Sequence, residues 1–375
     1  LPRLGVAGNL QSMFRRRWIV IATLVWTPLL SCDRGQPRAV IGVVFGSPEA
    51  VRVAQAVIAE TAQEGEPVIL LQHDQRATPS PDLTFRRAEW VLALPDLVAV
   101  VGHEASGSSL TAAALYHDAG VPLIVPTATT PLLKGKPGVF PLAPNDSLQG
   151  AFLAQFAAHQ LDASRASVFF VTDEYGYGLR RGVVEEFVRL GVEVIDEVPI
   201  NTSSNVDAMA AASLARGKPD VIVAAARYPE VWDLARAVQA RARDVRILAG
   251  DGADQMPAAL QRAGAAADSV YLSVFWHPDV ADSSGLVFIH RFRLLTGRQP
   301  SAVDALVYDA IMVTVAAIRA VGPDRRRVTR YLERLGVGRP GYEGVTGEID
   351  FRPMRSRPIL MIQSHQEETH VVYQP

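Results

Sequence analysis

The sequence predicts an α/β protein of two doubly wound parallel-sheet lobes facing each other across a central cleft. Three observations lead there. The chain's 375 residues exceed one compact core and suit two domains once a targeting segment is removed. From Val40 onward, short β-rich apolar runs alternate with longer stretches of helical periodicity, the rhythm of parallel βαβ units. No internal repeat and no low-complexity tract interrupts that rhythm, so the chain is expected to pass between the lobes more than once.

The first element is not part of the fold. Arg15, Arg16 and Arg17 precede an apolar run from Trp18 to Trp26, followed by Thr27, Pro28, Leu29, Leu30, Ser31 and Cys32. A basic start followed by an apolar stretch of about 13 residues reads as a secretory signal peptide over residues 1–31; a bilayer-spanning helix needs about 20. Leu29-Leu30-Ser31-Cys32 resembles the lipobox of bacterial lipoproteins, which implies lipidation of Cys32 and cleavage before it. Cys32 is the only cysteine in the chain. Stability therefore has to come without disulfides. Asp33 resembles the signal that retains some lipoproteins at the inner membrane. Residues 1–12 stand upstream of a plausible start at Met13, and 32–38 read as a tether.

The expected strands then follow in order: Val40 to Phe45, Val68 to Gln72, Leu97 to Val101 and Val121 to Val125. Helices lie between them at about 47–65, 84–94 and 108–119. A second series starts with a helix near 148–161 and continues through strands at 166–171, 192–198, 220–225, 245–249 and 269–274. Helical periodicity returns at 285–296, 302–321 and 325–335. Short antiparallel strands are expected at 347–351, 359–363 and 370–373. This divides the chain into a first lobe of 39–145 with 277–355 and a second of 146–276 with 356–375.

In doubly wound sheets, ligands sit beyond the carboxyl ends of the strands, so the loops there carry the chemistry. Gly102-His103-Glu104-Ala105-Ser106 leads from strand to helix through small residues. Ser106 with the following amides can seat a carboxylate, because a helix N-terminus offers unpaired N–H groups and partial positive charge; alternatively, it is a plain N-cap. The next strand delivers Thr127-Ala128-Thr129. Together with Gly120-Val121-Pro122, these segments resemble the leucine/isoleucine/valine-binding protein family, the type I receptors of ABC importers, and the resemblance extends from Val40 onward.

That resemblance implies the type I periplasmic binding protein fold, two doubly wound parallel-sheet lobes around a central ligand cleft. It also implies a set of ligand residues. Ser106, Ala128 and Thr129 would hold a carboxylate, while Thr129 and Asp251, in Gly250-Asp251-Gly252, would take an ammonium. Asp146, in Asn145-Asp146-Ser147, would stand near the pocket rim. Tyr175, in the Tyr-Gly-x-Gly loop, and Tyr228 would cover the ligand. From the residues alone, Asp251 could equally cap a helix, and the tyrosines could be loop packing. The first loop, Val43 to Glu49, is shorter than the family's, with Phe45 as the only aromatic available to replace the one expected there. Arg227 either meets a second ligand carboxylate or is a solvated or ion-paired arginine, and Trp276 and His277 lie near the second crossover, where an aromatic is as readily hinge packing as a ligand contact.

The expected function is a substrate-binding lipoprotein of an ABC importer that captures a small amino-acid-like ligand, with permease subunits in the inner membrane as partners. The alternative of the same fold is a ligand-sensing or protein-binding lipoprotein, such as a cell-wall synthase activator. A net charge of -2 and 20% charged residues present no basic field for nucleic acid. An enzyme is not expected: Gly176-Tyr177-Gly178 with Gly182 has the wrong spacing for a dinucleotide fingerprint, and no Gly-x-Ser-x-Gly elbow occurs. Neither a cofactor nor a metal is expected, since the eight histidines include no zinc-type pair.

Overall fold

Val40-Ile-Gly-Val-Val-Phe45 is buried along its whole length, which marks a parallel strand covered on both faces. In the computed structural model, described for residues 39–61, 68–73, 80–254, 256–352, 357–365 and 368–375, this run is β1 (Val40–Phe45) at the heart of the first sheet. The signal peptide, Cys32 and the tether lie outside the described residues. The first lobe continues with α1 (Pro48–Thr61), β2 (Val68–His73), α2 (Pro81–Leu92), β3 (Leu97–Gly102), α3 (Ser106–Asp118), β4 (Leu123–Val125) and β5 (Val139–Pro141). Its five strands are all parallel, in the order β2-β1-β3-β4-β5.

The second lobe repeats the plan. It contains α4 (Asp146–Gln160), β6 (Arg165–Val171), α5 (Glu174–Leu190), β7 (Glu193–Ile200), α6 (Val206–Gly217), β8 (Val221–Ala225), α7 (Glu230–Gln239), β9 (Arg246–Ala249), α8 (Met256–Ala263) and β10 (Val270–Val274). The chain then returns to the first lobe with α9 (Ser283–Thr296), α10 (Ala302–Val321) and α11 (Arg325–Glu333), followed by the hairpin β11 (Tyr342–Gly344) and β12 (Gly347–Ile349). Arg325 Nε donates to the Leu97 carbonyl at 2.7 Å, tying α11 to the foot of β3. The Asp309 carboxylate on α10 accepts from the Val345 and Thr346 amides at 2.8 and 2.9 Å, fixing the hairpin turn. Finally β13 (Leu360–His365) and β14 (Glu368–Tyr373) complete the second sheet, in the order β14-β13-β10-β9-β8-β6-β7, with β13 antiparallel to β10.

Read by their own strands, both sheets have the same winding: second, first, third, fourth, fifth. That order places a topological switch point between β1 and β3 in one lobe and between β6 and β8 in the other. The structure differs from the sequence reading at a few edges. The strand expected from Val121 begins at Leu123, because Val121 N–H bonds back to the Tyr116 carbonyl in the turn that ends α3. The short strands β5 and β11 were not expected.

Within the second lobe, α4 and α5 pack backbone to backbone. A Cβ on Gly150 of α4 would stand 2.6 Å from Val183 N and 2.7 Å from Gly182 C, so the two backbones touch where both helices carry glycine. The two lobes approach each other where a Cβ on Gly107 of α3 would lie 4.0 Å from Glu174 Cγ of α5. Among the described residues no single helix is long and apolar enough to cross a membrane.

Candidate functional site

At the first lobe's switch point, three loops are joined by one residue. Glu104 Oε2 accepts from the Gly46 and Ser47 amides at 3.0 and 2.8 Å, and the Glu104 carbonyl accepts from Thr127 Oγ1 at 3.0 Å. The loops after β1, β3 and β4 are thereby held in one arrangement. The N-cap of α3 is Ala105, which offers no side-chain acceptor; Ser106 is the first helical residue. The plain N-cap reading of Ser106 is therefore corrected, and the first-turn amides have no capping side chain. Ser106, Ala128 and Thr129 are all buried. Phe45 is also buried, as a core residue of β1, and does not replace the missing first-loop aromatic.

The second lobe's switch point is spanned by an ion pair. Arg227, just after β8, donates to the Asp173 carboxylate, just after β6, at 2.6 and 3.3 Å. The same guanidinium lies 4.5 Å from the centre of the Tyr175 ring. Arg227 is thus an ion-paired residue. Tyr175, in the first turn of α5, is buried; its hydroxyl donates to Asp251 Oδ1 at 3.3 Å and accepts from the Gly252 amide at 3.1 Å. The cap of the short turn at 251–253 is Gly250, which leaves the Asp251 carboxylate to Tyr175 and corrects the capping alternative for Asp251. Tyr228 is half-buried, its N–H bonded to the Gly252 carbonyl at 3.2 Å.

Asp146 is not at a rim. It is wholly buried as the first residue of α4, where Gly178 and Gly182 of α5 leave it room; a Cβ on Gly178 would come within 2.5 Å of Asp146 Oδ2. Its N–H donates to the Thr129 carbonyl at 2.8 Å, so the crossover places it against the loop that follows β4. One helical turn on, Gln149 is equally buried, and neither Asp146 oxygen nor the Gln149 amide makes a geometrically sound hydrogen bond. The Thr129 hydroxyl stands beside Asp146, and Gln149 stands beside Asp251. Buried polar atoms of this kind cost about 1–3 kcal/mol each when left without a partner, so their presence in a set points to a missing partner.

Burial is the main force on the acids. It holds the Asp146 carboxyl well above the usual range, helped by nearby Asp251, and pushes Asp251 up to about 6 against the pull of Gln149 and Arg227. Asp254, three residues on, is pushed up to about 7 by burial and then by Asp304. His103 is driven down to about 3 by burial and by Arg87; it is a neutral ring bonded to the Tyr116 hydroxyl at 3.2 Å. Between about pH 4 and 6 the empty folded protein keeps a proton on Asp251 that the unfolded chain has released. This group's contribution to stability is therefore present below that window and lost as pH rises through it. The Tm of the wild type relative to Asp251→Asn should fall between pH 4 and 6 and stay level above; parallel curves across that range would refute the assignment.

Two further residues complete the hinge side. Trp276 is buried, with its ring edge-on to Phe288 at 6.0 Å, and His277 bonds Thr369 at 3.1 Å. Among the described residues no group of three or more His, Cys, Asp or Glu is placed to hold a metal. Sequence reasoning missed Glu104, Gln149 and the Asp173–Arg227 pairing; only the i, i+3 spacing of Asp146 and Gln149 on one helix face signalled any of them.

Comparison with known proteins bears on this arrangement. A family model described as "Periplasmic binding protein" matches residues 44–362. An amino acid binding protein of Pseudomonas aeruginosa is 25% identical over 276 residues, 73% of each chain. A leucine binding protein from Thermotoga maritima superposes with a TM-score of 0.80 at 25% identity, over 90% of this chain and 98% of that one. A branched-chain amino acid substrate binding protein from Streptococcus pneumoniae, solved with isoleucine, gives 0.78 at 22% identity, over 90% and 100%. These are binding proteins and not enzymes.

Proposed function

The chain belongs to the periplasmic binding protein family, and from that premise we propose that it is the substrate-binding lipoprotein of an ABC importer, capturing a small amino-acid-like ligand by closing its lobes. One observation carries this reading: the buried, unpartnered oxygens of Asp146 and the unpartnered Gln149 amide, gathered beside Asp251 where the lobes meet. An ammonium group brings three donors to such a place. In this reading Thr129, Asp146 and Asp251 take the α-ammonium, and Ser106, Ala128 and Thr129 with the first-turn amides of α3 take the carboxylate. Tyr175 orients Asp251, and Tyr228 covers the ligand from the second lobe. The protein is a receptor and not an enzyme.

Function follows from contacts to both lobes. A ligand that prefers the closed form 100-fold shifts the open–closed equilibrium by about 2.7 kcal/mol. The closed surface is then what permease subunits in the inner membrane read. The protein is held in the periplasm through lipid on Cys32, with Asp33 favouring the inner membrane; several acyl chains hold it durably where one would not. Cys32→Ser is expected to move the protein from the membrane pellet to the soluble periplasmic fraction, with ligand binding retained; a variant still in the pellet would sink the anchor assignment. For the receptor itself, a thermal-shift screen against amino acids, amides and small organic acids, followed by calorimetry, is the direct test. A saturable upward shift with an α-amino acid supports the reading, and no shift from any compound on a folded protein refutes it.

A further inference from the structure

Glu104 is half-buried, and its rotamer is set by the two amides that one of its oxygens accepts from. Its other oxygen makes no hydrogen bond among the described residues. The site of this carboxylate is the crevice between β1 and β3, where an open α/β sheet takes its ligand, two residues before Ser106. The amides ahead of α1 would otherwise welcome an anion. Glu104 already occupies them.

The acidic groups around the cleft outnumber one ligand ammonium. Asp146 lies near Asp251 in the set described above, and Glu104 adds a third acid from the first lobe. Glu174 brings a fourth to the edge where α5 meets α3. Arg227, the cation next to Tyr175, is already engaged by Asp173. An acidic side chain on the ligand would meet Glu104 with like charge at the one place where the loop amides cannot receive it. An aliphatic side chain would strip water from the unbonded Glu104 oxygen and give it no donor, which is costly for a charged group. A side chain ending in an ammonium supplies both the donor and the opposite charge.

Building on the receptor reading above, we propose that the ligand is a diamino acid, carrying a second positive charge at the end of its side chain, and that Glu104 is the specificity-determining residue that selects it. The test is calorimetry on the protein with L-lysine, L-ornithine, L-leucine, L-glutamine and L-glutamate. Lysine or ornithine is expected to bind at least tenfold tighter than leucine or glutamine, with glutamate weakest. Glu104→Gln keeps an oxygen for the Gly46 and Ser47 amides, so the three loops stay joined and Tm stays close to wild type, while the charge is gone. The variant is expected to lower the ratio of lysine or ornithine affinity to leucine affinity tenfold or more. Leucine, glutamine or glutamate binding tighter than both diamino acids would overturn the proposal and leave the receptor reading standing. So would a Glu104→Gln variant that weakens every ligand by the same factor, since a purely structural residue would act that way. Binding of none of the five overturns this proposal, while the receptor reading is decided by the wider thermal-shift screen above.

Discussion

Asp251→Ala is expected to weaken the α-amino ligand by about 3 kcal/mol, roughly a 100-fold loss, because truncating one partner of a buried, hydrogen-bonded charge pair costs about 2–5 kcal/mol. The empty protein should not suffer in proportion. In the absence of ligand, Asp251 is a desolvated acid whose carboxyl is pushed up to about 6, and removing it also removes that burden. The Tyr175 hydroxyl loses its acceptor but keeps the Gly252 amide as a donor to it. Calorimetry and a thermal melt on the same preparation separate the two effects. A Tm near or above wild type with affinity greatly reduced is the expected pair; unchanged affinity would remove the ammonium assignment.

Gly150→Ala should have the largest effect on stability. The added methyl would stand 2.6 Å from Val183 N and 2.7 Å from Gly182 C, both backbone atoms that no side-chain rotation can move aside. Relief requires α4 and α5 to separate. Overpacking of this kind costs about 1–3 kcal/mol, and with backbone on both sides the upper end applies. At about 2 °C per kcal/mol for a large domain, Tm falls by about 6 °C. Asp146 and Gln149 lie on the same face of α4, so ligand affinity should fall along with stability. Gly178→Ala makes a useful contrast: its methyl meets the Asp146 carboxylate at 2.5 Å, a side chain that can turn, so it should disturb binding more than folding. A Gly150→Ala protein melting within 1 °C of wild type would show that the helices have slack here (about 0.5 kcal/mol on the same scale).

These glycines also show what the sequence made legible. The alternation of apolar strands and amphipathic helices places β1, β3, β6, β8 and α10 within a residue or two, because each is long enough for its period to register. Strand β5, Val139–Pro141, is three residues directly after Gly138, too short for any period, and only its pairing with β4 makes it a strand. Gly176, Gly178 and Gly182 stand out in the sequence, yet their work is to let α5 approach β6 and α4. That approach buries Asp146, which a crossover position alone suggests is at a rim. Gln149 reads as an ordinary polar residue on a helix. Glu104 reads as loop, since the amides it bridges to lie 57 and 58 residues away and meet it only once β1 and β3 are side by side. The motif residues Ser106, Thr129 and Asp251 were visible one at a time; the bonds that connect their neighbourhoods were not.

Strand β13 closes the second sheet by pairing antiparallel with β10, although α9, α10, α11 and the β11–β12 hairpin come between them in the chain. While the chain is being made, or if it is cut short before Leu360, β10 is an open edge whose N–H and C=O groups have no neighbour. Half of the receptor therefore waits on a segment that emerges nearly ninety residues later, after the other lobe's helices. In biosynthetic terms the two lobes are not finished in the order in which they begin: the first lobe receives its last helices before the second receives its last strands. A ribosome-bound or prematurely ended product would be sticky at β10 in particular.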